Sequence, residues 1–169
     1  ISRHFQGDVQ QLGWWQAAFA IGTIVGGSLL GAWGGVKKKV VTAQLGLIVL
    51  GFGTTIIGFT PPQLFWLGLA ANTLTGFVLP ITNGSYGAIL QSVIAPDMQG
   101  RVFAFIMSAA MLVSPLGLVI AGPISDALGI QIWFRVSGIT CALMGIAGFF
   151  IHEVMGMEEE KKGLAAEPL

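Results

Sequence analysis

The chain has 169 residues, of which 54% are hydrophobic and only 9% are charged, and its formal net charge is zero. An ordinary soluble domain carries about 25% charged residues, so this composition argues against a soluble protein. Its few, local lysines do not form the basic surface that nucleic-acid binding requires, and no nucleic-acid partner is expected.

The charged residues divide the sequence into long uncharged blocks. These blocks are residues 9–36, 40–96, 102–125 and 136–151. Several of them exceed the roughly 20 apolar residues that cross a bilayer. The sequence therefore predicts membrane spans, with the lipid bilayer as a partner.

The first predicted span, residues 12–34, is followed by three consecutive lysines, Lys37, Lys38 and Lys39. Charges of this kind are costly in hydrocarbon, so they mark the end of the span. The second span, residues 40–59, stops at a pair of prolines that cannot continue a helix. It contains few polar residues, and we expect a peripheral helix that faces lipid.

The third span, residues 64–94, is longer than a straight crossing requires and has Pro80 in its middle. One kinked helix explains both features. Two further spans are predicted at residues 102–124 and 132–151. The fold class is therefore all-α integral membrane, with five helices in a bundle of residues 12–152.

The ends of the chain are expected to lie outside the bundle. The first residue is Ile1, and no signal-peptide pattern precedes the first span, so residues 1–11 are interpreted as an extracytoplasmic connection from a missing preceding helix. Residues 153–169 are rich in charge and contain Gly and Pro, which predicts a partly disordered tail.

Basic residues orient the spans, because Lys and Arg accumulate in cytoplasmic loops. If the three lysines are inside, alternation also places Arg101, Lys161 and Lys162 inside, whereas Arg3 and Arg135 fall outside. This distribution predicts a multi-pass protein of the cell membrane with a cytoplasmic C-terminus.

The first span is rich in glycines at helical spacing. Small residues four apart let two helix backbones approach closely in lipid, so we expect these positions to pack against another helix. The candidate packing residues are Gly22 and Gly26, with a second ladder of Gly27, Gly31 and Gly35.

The third span carries a polar stripe. At about 100° per residue, its members fall near one line, with Thr75 at the edge. Buried amides in a bilayer need partners, so the stripe should face other helices or a water-filled cavity. A ligand-lining face and an interhelical hydrogen-bond seam both satisfy this requirement. The stripe consists of Asn72, Gly76, Asn83, Tyr86 and Gly87, and the lesser polar candidates elsewhere are Gln16 and Ser108.

Motifs of enzymes are missing from the sequence. His4 and His152 lie at opposite ends of the chain, and no HExxH, GxSxG or GxxxxGK[ST] pattern occurs. We expect neither catalysis nor a metal site. No carboxylate lies deep in any span, because Asp97 and Asp126 are near span ends.

The stretch "APDMQGRVFAF" holds the first charges after a long uncharged run. Pro96 is expected to end the third span, Asp97 to act as the N-cap of the fourth, and Arg101 to anchor that helix at the cytoplasmic face. The spacing of Asp97 and Arg101 also allows an ion pair across one helical turn.

The chain resembles the C-terminal half of major facilitator superfamily transporters of the drug, macrolide and siderophore efflux branch. The resemblance rests on "QSVIAPDMQGRVFAF", in which Pro96, Asp97, Gly100 and Arg101 match a P-x-x-x-G-R loop. The stretch "GAWGGVKKKV" is similar to a loop motif of the superfamily, with Gly35 where an acid belongs.

This resemblance implies helices eight to twelve of a twelve-helix fold that transports by alternating access. It implies a substrate cavity with Asn72, Thr75, Asn83, Tyr86, Gln16 and Ser108 as candidates. It further implies a cytoplasmic loop or gate formed by Lys37, Lys38, Lys39, Asp97, Gly100 and Arg101. The expected partners are a small molecule and the missing N-terminal half. No cofactor is expected beyond the proton gradient.

A different class of membrane protein also fits these features. Five helices with no catalytic motif are also compatible with a non-transport membrane assembly or scaffold module, or with an inactive truncated remnant. Further spans upstream would favour the transporter.

Overall fold

The computed structural model describes residues 9–33 and 39–150. Each of its five α-helices is long and apolar enough to cross a membrane, which confirms the predicted fold class. A short 3-10 turn, Pro62–Leu64, precedes the third helix. The predicted tail, Gly35, Lys37 and Lys38 lie outside the described residues. The helices are α1 (Val9–Trp33), α2 (Lys39–Phe59), α3 (Phe65–Val93), α4 (Gln99–Leu128) and α5 (Gln131–Phe150).

Helix α1 begins at Val9, inside the stretch that the sequence assigned to the preceding connection. Helix α3 is one continuous helix with Pro80 in its interior. Proline removes one backbone hydrogen bond, and the rest of a long apolar helix tolerates that loss in lipid.

Helix α4 is longer than predicted at its C-terminal end. It continues through Pro123 to Leu128, past the expected end at residue 124. It stops at Gly129, whose φ of 82° lies in the left-handed region and whose N–H bonds to the carbonyl of Ser125 at 3.0 Å. The glycine, rather than the proline, ends the helix.

The start of α4 also differs from the prediction. Met98 occupies the N-cap position and no side chain caps the helix, so the assignment of Asp97 as N-cap is wrong. The amide of Gln99 instead donates to the carbonyls of Gln91, at 3.0 Å, and Ile94, at 3.2 Å. These bonds use carbonyls at the end of α3, which helical hydrogen bonding leaves free, and tie the two helix ends together.

Four helices form a row in the order α1, α3, α2, α5. The contact between α2 and α3 pairs glycines with threonines, and the pairs recur seven residues apart. Gly46 lies against Thr82, and a Cβ added at Gly53 would stand 2.7 Å from the hydroxyl of Thr75. A seven-residue repeat keeps two helices in contact over several turns.

The contact between α2 and α5 uses the opposite side of α2. Gly51 and Gly138 face each other closely enough that a Cβ at Gly138 would lie 2.8 Å from the carbonyl oxygen of Gly51. Further along, a Cβ added at Gly145 would lie 3.0 Å from the backbone nitrogen of Ile48. Helix α2 therefore lies between two neighbours, α3 and α5, and keeps an exposed apolar side that includes Phe52 and Phe59.

The contact between α1 and α3 is made at Gly22, Gly26 and Gly76. A Cβ at Gly22 would lie 2.9 Å from the backbone nitrogen of Phe77, and one at Gly26 would lie 3.1 Å from the Cα atom of that residue. By contrast, a Cβ added at Gly27 would make only an ordinary contact with Pro80, and one added at Gly31 would meet nothing within 4 Å among the described residues.

Helix α4 is attached differently from the other four. None of its residues is buried within the described part of the chain, and its main contact is with α5. The indole N–H of Trp133 donates to the carbonyl of Ala121 at 3.2 Å and links the two helices near their connection.

Candidate substrate-binding site

Helix α3 has neighbours on two sides and therefore two free faces. The side towards α1 carries Gly76, and the side towards α2 carries Thr75 and Thr82. At about 100° per residue, Asn83 and Tyr86 fall between these two sides. The side chain of Asn83 is exposed and that of Tyr86 is half-buried. One free face of α3 is thus polar.

The other free face of α3 is apolar. Leu67 is 50% exposed and Leu74 is 45% exposed. Between this face and α1 lies an open groove of about 460 Å³, which Ile21 and Val25 of α1 also line. An uncovered apolar surface on a membrane-spanning helix is suited to lipid. The row of helices therefore has one apolar side, which is suited to lipid, and one side that carries polar groups.

Gln16 of α1 lies on the polar side of the row. It is nine residues from Val25, which places the two side chains on opposite sides of the helix. Its side chain is exposed. Trp15 lies at the level of Asn72, and Asn83 lies eleven residues further along α3, about 16 Å along the axis. Gln16 and Asn83 thus share a side at different membrane depths.

Asn72 is buried inside the bundle and forms a hydrogen bond between α3 and α1. Its side chain is 6% exposed, and its amide donates to the backbone carbonyl of Trp15 at 2.8 Å. Next to it, Trp15, Ile57, Phe65 and Ala71 form a buried apolar cluster. The polar stripe of α3 therefore combines the two predicted roles at different positions. Asn72 forms an interhelical hydrogen bond, whereas Asn83 and Tyr86 lie on the uncovered part of the stripe, where a ligand could bind.

The remaining cavity candidates are separate from this face. Thr75 is turned towards α2, and its hydroxyl donates to the carbonyl of Ala71 at 2.8 Å. Ser108 is exposed in the first half of α4. The structure therefore brings together Asn83 and Tyr86, with Gln16 on the same side and Asn72, Thr75 and Ser108 elsewhere.

The loop candidates lie at one end of the bundle. Lys39 is the exposed first residue of α2, and Asp97, Gly100 and Arg101 are exposed at the connection from α3 to α4. The ion pair that the spacing of Asp97 and Arg101 allows is not formed in the described part of the chain.

Gln44 of α2 is a buried amide for which the sequence predicted no role. This side chain is 7% exposed and packs against Gly148 of α5, and its carbonyl oxygen Oε1 has no partner among the described residues. The sequence does contain two features that indicate packing of α2 against a neighbouring helix. A lone amide in an apolar span requires a polar or closely packed neighbour, and the glycines of α2 recur seven residues apart.

Comparisons with known proteins agree with this architecture. A family model described as Major Facilitator Superfamily matches residues 1–168. Macrolide efflux protein A of Streptococcus pyogenes is 28% identical over 155 residues, which cover 92% of this chain and 38% of that protein. No solved structure matches the chain.

Two multidrug efflux pumps named Tap are also similar. The pump of Mycolicibacterium fortuitum is 29% identical over 90% of this chain and 37% of its own length. The pump of Mycobacterium tuberculosis (strain ATCC 25618 / H37Rv) is 31% identical over 80% of this chain and 32% of its own length. The chain thus spans less than two fifths of these relatives. The match along nearly its whole length, with five membrane-spanning helices, shows that the chain belongs to the Major Facilitator Superfamily.

Proposed function

We propose that the chain forms the C-terminal portion of a secondary active exporter of small amphipathic compounds, such as drugs or macrolides. The observation that supports this most strongly is the polar free face of α3. Asn83 and Tyr86 lie there, opposite the lipid-facing Leu67 and Leu74. A spanning helix has no need of an exposed amide unless that face meets water or a ligand.

The polar face suits an amphipathic ligand chemically. Asn83 and Tyr86 are three residues apart, so their side chains project on one side of the helix. The amide offers both hydrogen-bond donors and an acceptor, and the phenol adds a hydroxyl and a flat apolar ring. Such a pair can hold the hydroxyl and carbonyl groups of a macrolide while its apolar surface covers the ring.

Further helices of the same transporter complete the cavity in this proposal. Helix α4 has no buried residue in the described structure, and the efflux relatives are more than twice as long as the matched stretch. The five helices then correspond to helices eight to twelve of a twelve-helix fold. Alternating access occurs as the two halves rock about a binding site near the midplane.

Proton antiport supplies the energy in this proposal. The described spans contain a single carboxylate, Asp126, which lies near the end of α4. The main titrating acid is therefore assigned to the part of the transporter beyond this chain.

Siderophores are a further substrate class suggested by the efflux branch. We place the protein in the cell membrane, with Arg101 and the C-terminus on the cytoplasmic side.

Accumulation of a radiolabelled macrolide in cells that express the full-length gene tests the proposal. We expect lower accumulation than in control cells, and a protonophore should abolish the difference. Asn83→Ala and Tyr86→Phe should each reduce export several-fold, whereas Leu74→Ala, on the lipid-facing side of the same helix, should leave it unchanged. Equal accumulation with and without the gene product, for macrolides and for unrelated drugs, would contradict export.

A further inference from the structure

A cationic side chain, Arg135, lies at the membrane boundary where α2 ends and α5 begins. Its Nε–H donates to the carbonyl of Gly58 at 2.8 Å, and its guanidinium carbon stands 4.4 Å from the ring centroid of Phe59. The carbonyl belongs to the last turn of α2, where backbone acceptors lack helical partners and the helix dipole is negative. These two contacts fix the orientation of the guanidinium.

The surface around Arg135 is apolar and exposed. Phe59 is 59% exposed and ends an apolar stripe on α2 whose other members are Leu45, Phe52 and Ile56, all of them exposed. These positions recur every three to seven residues along one side of the helix. The guanidinium therefore lies at the end of the hydrocarbon-facing stripe, at the depth where lipid headgroups begin.

Arg135 has unused hydrogen-bonding capacity. A guanidinium carries five N–H donors. Besides the bond to Gly58, its side chain makes one long hydrogen bond within the described chain, 3.5 Å from Nη2 to Oε1 of Gln131. No carboxylate forms an ion pair with Arg135 in residues 9–33 and 39–150. A rigid guanidinium fork without an ion-pair partner matches the geometry of a phosphate.

We propose that Arg135 binds the phosphate of an anionic phospholipid at this boundary, with the acyl chains lying along the apolar stripe of α2. Charge complementarity and the continuity of the cation with the lipid-facing surface identify the ligand. In the orientation proposed above, this lipid belongs to the outer leaflet. The site is independent of the transported compound.

The test uses the purified full-length transporter in detergent, titrated with phosphatidylglycerol and followed by thermal unfolding. Arg135→Gln should raise the phosphatidylglycerol concentration that gives half-maximal stabilisation about fivefold, and Arg135→Lys should raise it less. Arg101→Gln, which removes the same charge at the other end of the bundle, is the matched control and should change it by less than about twofold. Phosphatidylcholine should stabilise the protein less.

Several results would overturn the proposal. If Arg135→Gln has the same half-maximal phosphatidylglycerol concentration as the unmodified protein, Arg135 does not bind the lipid. If Arg101→Gln raises that concentration as much as Arg135→Gln does, the effect is a general one of charge and the site is not specific. Saturation by inorganic phosphate alone would identify a free-anion site instead of a lipid site. If Arg135→Gln does not fold, Phe59→Leu keeps the apolar stripe but removes the supporting ring. This substitution should also raise the half-maximal phosphatidylglycerol concentration, and an unchanged concentration would contradict the assignment.

Discussion

Helices α2 and α4 are both long and apolar, but they are held in the molecule in different ways. Helix α2 has nine buried residues, four of them glycines, and packs closely against α3 on one side and α5 on the other. Helix α4 also contains glycines, at positions 100, 117 and 122, and a Cβ added at any of these would meet nothing within 4 Å among the described residues. Glycine content alone therefore does not show where helices meet.

The spacing and surroundings of the glycines explain the difference. Along α2, Gly46 and Gly53 face α3, and Gly51 and Gly58 face α5, so each side has a seven-residue repeat. On α4, Pro115 and Pro123 lie near the glycines and each removes a backbone hydrogen bond. Helix α2 is built for close backbone approach, whereas α4 retains a surface that other helices can cover.

The largest expected effect comes from adding one methyl group at a close approach. Gly26→Ala places a Cβ against the backbone of Phe77, which cannot move aside like a side chain. Overpacking of this kind costs about 1–3 kcal/mol of unfolding free energy. The measurement is the midpoint of denaturant unfolding of the chain in detergent micelles.

Gly117→Ala is the matched control on α4. The added methyl meets nothing within 4 Å among the described residues, and alanine is the better helix former by up to about 1 kcal/mol. The substitution should leave the midpoint unchanged or raise it. Equal destabilisation by the two substitutions would show that the contrast between the packed row and α4 is wrong.

A smaller effect separates the two asparagines of α3. Asn72→Ala removes the hydrogen bond to the carbonyl of Trp15, and interhelical bonds in membranes contribute about 0.6 kcal/mol on average. Asn83→Ala should not lower stability, because its side chain is exposed, but it should lower export. Unfolding midpoints and macrolide accumulation of both variants check this division. If Asn83→Ala lost stability and Asn72→Ala did not, the assignment of Asn72 to stability and Asn83 to export would be wrong.

The smallest expected effect is at the contact between α2 and α3. The hydroxyl of Thr82 donates to the carbonyl of Val78 in its own helix at 3.0 Å, so it does not connect the two helices. Thr82→Val keeps the shape that packs against Gly46 and should change the unfolding free energy by less than the value of about 0.6 kcal/mol expected for Asn72→Ala. A larger loss in the same unfolding measurement would show that the hydroxyl itself holds α2 and α3 together.

The membrane spans could be predicted because charge is excluded from hydrocarbon, and this requirement appears directly in the sequence. The end of α4 could not be predicted as well, because the uncharged block ends before Asp126, whereas the helix continues past that charge and ends at Gly129. The N-cap assignment of Asp97 failed for a related reason. Gln99 joins the ends of α3 and α4 through backbone carbonyls that no sequence pattern identifies.

The candidate site was predicted only in part. Periodicity placed Asn72, Asn83 and Tyr86 on one line, but it could not show that α1 covers this line at Asn72 and leaves it open at Asn83. That distinction depends on how the helices of the row approach one another at each depth. The placement of α2 between α3 and α5 could not be predicted, because the spacing of its glycines does not show which helix each of them meets.

The central claim is that the polar side of the row faces the transport pathway and the apolar side faces lipid. Single-cysteine labelling of the full-length transporter in membrane vesicles tests it most directly, in a background from which Cys141 and any further cysteine of the transporter have been removed. Asn83→Cys should react with a membrane-impermeant thiol reagent, and a macrolide should slow that reaction, whereas Leu74→Cys should react little. Labelling of Leu74→Cys as fast as Asn83→Cys, or no labelling of Asn83→Cys from either side of the membrane, would contradict the claim.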